Sequence, residues 1–91
     1  MTYIKIKWLH NFKHEPVWLY SELDANRNEL RKVEIFFDQS FGYACNEQSS
    51  GTTQLSELPL PQVAEIASDS QFEVKNIAKA EFELIWEQAT L

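Results

Sequence analysis

The chain has 91 residues, 44% of them apolar, with three Trp, three Tyr and six Phe. That length supports one hydrophobic core, burying roughly 60–65% of the unfolded surface, and leaves no room for a second. The net charge of −6 argues against nucleic acid as a ligand, and the lone Cys45 excludes both an internal disulfide and a cysteine-based structural zinc site.

Tyr3 to Leu9 alternates, with Ile4, Ile6 and Trp8 on one face and Tyr3, Lys5 and Lys7 on the other, which predicts a half-buried strand. His10 to Glu15 is polar and stops at Pro16, so it reads as a loop. Val17 to Leu23 forms a second strand, and Asp24 to Asn28 carries turn chemistry, with side chains that bond their own backbone. Leu30 to Phe37 is a third strand, with Val33, Ile35 and Phe37 on one face and Lys32, Glu34 and Phe36 on the other. Asp38-Gln39-Ser40 then turns tightly into a fourth strand, Phe41 to Cys45.

Beyond Asn46 the pattern changes. A loop through Thr53 leads to a short fifth strand around Gln54 to Leu58, and Pro59 and Pro61 break regular structure. Val63, Ile66 and Ala67 give a short amphipathic helix, opened by Pro61 and closed before Asp69. Phe72 to Ile77 reads as extended or irregular. Phe82, Ile85, Trp86 and Ala89 fall at i, i+3, i+4 and i+7, the stripe of a C-terminal helix. Ala78 caps it poorly, having no side-chain oxygen for the free amides.

This order predicts a single α+β domain spanning residues 1–91. It has an antiparallel sheet of four to five strands, with the short helix and the C-terminal amphipathic helix packed on one face. The expected inward set is Ile4, Ile6, Trp8, Val17, Leu19, Val33, Ile35 and Phe37, roofed by Phe82, Ile85 and Trp86. The opposite face would then be open, presenting Tyr3, Lys5, Lys7, Trp18, Tyr20, Glu22, Lys32, Glu34 and Phe36.

Reactive constellations are sparse. His10 and His14 stand four apart, but in a loop beside a proline, where the rings need not converge; loop histidines are the expectation, with no metal and no cofactor. Cys45 falls at a strand end, where a small apolar filler is usual. Gly42 and Gly51 are the only glycines, so no phosphate-cradling loop exists. By elimination the expectation is a protein with no catalytic residue.

The charge distribution is more informative. Residues 1–45 carry six acids and six bases, whereas residues 46–91 carry eight acids against Lys75 and Lys79 alone. A basic protein surface is the partner such a field would attract, although net charge also serves solubility by itself. Two surfaces are candidates for partner binding. One is the acidic set Glu73, Glu81, Glu83 and Glu87. The other is the aromatic pair Trp18 and Tyr20, residue types enriched at interface hot spots but also favoured in any strand. No apolar run reaches the roughly 20 residues of a membrane span, and Met1 to Lys7 alternates without a hydrophobic stretch. No membrane association and a cytoplasmic location are therefore expected.

Several strings resemble an uncharacterised small bacterial domain family. They are Tyr3-Ile4-Lys5-Ile6-Lys7-Trp8-Leu9-His10, Glu15-Pro16-Val17-Trp18-Leu19-Tyr20-Ser21-Glu22-Leu23-Asp24, Arg31-Lys32-Val33-Glu34-Ile35-Phe36 and Glu81-Phe82-Glu83-Leu84-Ile85-Trp86. The likeness runs along nearly the whole chain in the same order. Two positions depart from it: Asn11 stands where an acid is usual, and Gln39 replaces a turn glycine. The resemblance supplies no catalytic residue. By analogy with proteins of this size and kind, it implies an immunity protein for a polymorphic or contact-dependent growth-inhibition toxin. Such a protein, a monomer or weak homodimer, would neutralise a toxin, with a nuclease as the expected target, by occluding its active site. The alternative is a small self-associating regulatory or housekeeping domain with no toxin partner.

Overall fold

The computed structural model describes all residues, Met1–Leu91, and contains five strands and two helices. The strands are β1 (Thr2–Trp8), β2 (Trp18–Leu23), β3 (Glu29–Ile35), β4 (Phe41–Cys45) and β5 (Phe72–Asn76); the helices are α1 (Val63–Ala67) and α2 (Lys79–Ala89). The sheet is antiparallel throughout, in the order β4-β3-β2-β1-β5. The α+β class, a five-stranded sheet and the two helices are as the sequence predicts.

Local chemistry accounts for the turns. Asp24 Oδ1 accepts from the Asn26 and Asn28 amides at 2.8 and 2.9 Å, holding the β2–β3 connection in which Arg27 adopts φ 65°. In the β3–β4 turn Asp38 Oδ1 accepts from the Ser40 amide and hydroxyl, and Gln39 takes φ 68°, a left-handed conformation that glycine adopts without strain.

The fifth strand lies at Phe72–Asn76, not at Gln54–Leu58. The earlier segment runs across β3 as a strap, and side chains take its polar groups. Lys32 Nζ donates to the Gln54 carbonyl at 3.1 Å, Glu29 Oε1 accepts the Ser56 amide at 2.8 Å, and Glu34 Oε1 accepts the Thr53 hydroxyl at 2.7 Å. Arg27 fastens the end of the strap, donating to the carbonyls of Leu60 and Pro61 at 2.9 and 2.6 Å. Side chains of β3 thus hold this segment across the sheet face, where it has no neighbouring strand to pair with.

The expected inward set is also divided. Val33 stands opposite Tyr20 and Ile35 opposite Trp18, so the apolar residues of β3 share a face with Tyr3 and Tyr20 instead of Ile4 and Ile6. Alternation within a strand is legible in sequence, but connection geometry decides which parity meets which, and one residue of slip turns a strand over. Each face therefore buries its own cluster. Tyr3, Tyr20 and Val33 pack with Phe82 beneath α2; Ile4, Ile6 and Leu23 pack against Leu60, Val63 and Ile66 from the strap end and α1. The C-terminal helix roofs one face as expected, but it is the Tyr3 and Tyr20 face, and α1 covers the other.

Candidate binding surface

Because α2 lies on it, the aromatic face is not open. Tyr20 and Tyr3 are each only 8% exposed, and Phe82 is fully buried. An ionic network beneath the helix explains why this face accepts charge. Arg31 donates from Nε to Glu22 Oε1 at 2.7 Å and from Nη1 to Glu83 Oε1 at 2.9 Å, joining the sheet to α2. Tyr3 adds its hydroxyl to Glu22 at 2.9 Å, and the guanidinium carbon lies 4.9 Å from the centre of the Phe82 ring. The Arg31 hydrogen bonds hold both the Glu22 and Glu83 carboxyls below the usual carboxylate range, although partial burial acts the other way.

The six predicted partner residues are brought together only in part: Trp18 and Glu73 line one small pocket with Lys5, Lys7, Val74 and Lys75 on the face that carries α2, and two of the four acids are committed to bases. Glu83 is committed to Arg31, and Glu81 bonds Lys5 Nζ at 3.2 Å. The same ammonium stands 4.9 Å from the Trp18 ring centre and 5.6 Å from that of Tyr20, and Lys7 covers Trp18 at 5.7 Å. Trp18 is thus half-buried under lysine stems. Glu73 on β5 and Glu87 on α2 remain exposed and outside any ion pair. The acidic excess of the second half is therefore partly spent inside the molecule, where it anchors α2 to bases of the first half.

His10, His14 and Cys45 do not converge. The Phe12 amide donates to His10 Nδ1 at 2.9 Å, so Nε2 carries the proton and donates to the Pro16 carbonyl at 2.8 Å. This ring stacks on Phe12 and meets Phe37 edge-on, both at 5.4 Å, at the end of the sheet where β3 turns into β4. Cys45 stands opposite Arg31, at the other end of β4. No group of three or more His, Cys, Asp or Glu side chains is placed to hold a metal ion. No helix is long and apolar enough to cross a membrane.

Sequence reasoning missed a groove beside α1. Ile6 and Leu19 from the sheet, Leu60 and Pro61 from the strap, Ile66 of α1 and Phe72 of β5 line a space of about 400 Å³, with Glu65 and Asp69 also in its walls. Both carboxylates are exposed and neither has a salt-bridge partner; Asp69 accepts only the Gln71 amide, at 2.9 Å. Glu65 and Asp69 stand four residues apart on either side of Ile66, a helical-turn spacing that was visible in the sequence. That β2 and β5 would supply the floor was not. Such a groove can take an apolar side chain flanked by a cation.

No curated protein and no solved structure matches this chain. The whole chain is nevertheless covered by one family: residues 2–91 match the family described as Domain of unknown function (DUF6881), and the protein belongs to it.

Proposed function

We propose that the protein is an immunity-type binding module that neutralises a cognate bacterial toxin, a nuclease, by occluding its basic cleft. The observation that carries this reading is the groove beside α1, an apolar floor next to two carboxylates with no cation of their own. A nuclease must attract phosphate, so its cleft presents Lys and Arg. An inhibitor that offers free carboxylates beside an apolar seat satisfies those cations and excludes water from the contact. Exposed Glu73 and Glu87, on the α2 side of the sheet, add to the overall negative charge that steers encounter.

The test is co-expression with the product of the adjacent gene, followed by size-exclusion chromatography and a nuclease assay. A stable complex with suppressed nuclease activity is expected. Charge reversal of Glu65 and Asp69 to Lys is expected to weaken that complex by at least ~10-fold, since like charges across an interface cost several kcal/mol. A complex that tolerates this double reversal places the contact elsewhere, and a co-expressed toxin that stays active rules out the reading.

A further inference from the structure

The two edges of the sheet are treated differently. The outer edge of β4 is covered by the chain itself: Ser49 bridges Ala44, the Ser50 amide donates to the Tyr43 carbonyl at 2.9 Å, and the Cys45 amide donates to the Gln48 carbonyl at 2.8 Å. The outer edge of β5 has no such cover. The Leu9 amide bonds the Gln71 carbonyl and the Ile77 amide bonds the Tyr3 carbonyl, so odd-numbered residues of β5 face β1. The amides and carbonyls of Val74 and Asn76 therefore point outward, and no loop or side chain bonds them.

We propose that this edge pairs with the same edge of a second copy of the chain, forming a two-fold, ten-stranded antiparallel sheet centred on Val74. In that register Val74 meets its own symmetry mate and exchanges both backbone hydrogen bonds with it. Glu73 falls opposite Lys75 of the other copy, in the closely spaced non-hydrogen-bonded position, and the two-fold makes this pair twice. Edge lysines ordinarily blunt an edge against pairing. Here an acid two residues earlier makes the edge complementary to itself. The pairing also relieves a conflict within one molecule, where Lys75 stands directly opposite Lys5. In the pair each Lys75 gains a carboxylate from the other copy. Because the axis runs perpendicular to the sheet, the two α1 grooves face the same side.

Sedimentation and amide hydrogen exchange across a dilution series test this, up to about 1 mM chain, the range suited to a small interface. Concentration-dependent dimer is expected, with slowed exchange at Val74 and Asn76 as dimer forms. Glu73→Lys alone and Lys75→Glu alone are each expected to be monomeric, and an equimolar mixture of the two variants to associate, because their edges are complementary. That mixture also controls for folding, since only folded variants can pair. A chain that stays monomeric throughout, or a dimer that leaves Val74 exchange unchanged, overturns the proposal. So does a dimer indifferent to both charge reversals.

Discussion

At Arg31 one guanidinium serves two carboxylates from different elements, Glu22 on β2 and Glu83 on α2, and packs on Phe82. Its removal leaves Glu22, itself 8% exposed, with only the Tyr3 hydroxyl. Arg31→Met is therefore expected to cost about 2–3 kcal/mol, read as a shift in urea midpoint. The same pairs set an acid response. Their folded carboxyls titrate below the unfolded ones, so their contribution is complete above the ordinary carboxylate range and is lost as pH falls through the depressed folded values. Thermal melts of the wild type should fall steeply in that acid window and those of Arg31→Met less steeply, because the Asp24 and Asp38 turn bonds still favour their ionised forms whereas a buried unpaired Glu22 prefers its proton. Gly42 illustrates a second single-residue dependence. A β-carbon there would collide with the Thr53 hydroxyl that Glu34 holds, so Gly42→Ala should destabilise by about 1–3 kcal/mol and loosen the strap.

Among the elements, α2 depends on packing more than on its ends. Its N-cap, Ala78, has the extended φ and ψ of a cap (−77° and 154°) but makes no side-chain bond. Ala78→Ser should supply that oxygen to the free amides and raise stability by about 1 kcal/mol, measurable as a higher melting temperature. The stripe Phe82, Ile85, Trp86 and Ala89 was legible because a helix buries one side at a fixed period, and all four pack on the Tyr3 and Tyr20 cluster. β5 was harder to read. Phe72 and Val74 alternate with Glu73 and Lys75, but five residues next to a polar turn give little period to count, and only the vacant edge of β1 makes them a strand.

For the whole molecule, charge counted along the chain differs from charge displayed in space. Glu81 and Glu83 are consumed by Lys5 and Arg31, while Glu65 and Asp69 remain free beside the groove. The pair of free carboxylates beside an apolar groove thus lies on the α1 side. On the proposed immunity reading, association with a toxin should weaken as salt rises from low ionic strength to about 0.15 M, where the screening length is ~8 Å. Titrations at two salt concentrations would show this chiefly as a slower association rate. An affinity indifferent to salt would assign the contact to apolar packing alone.

Sequence by itself determined the α+β class, the first four strands, both helices and the absence of a cap on α2, because each depends on periodicity or on one residue's chemistry. Tertiary structure decided which side of each strand meets which, that α2 roofs the tyrosines, and where the fifth strand and the groove lie. Those features rest on turn geometry and on contacts between residues such as Leu19, Leu60 and Phe72, far apart in the chain and joined only by folding.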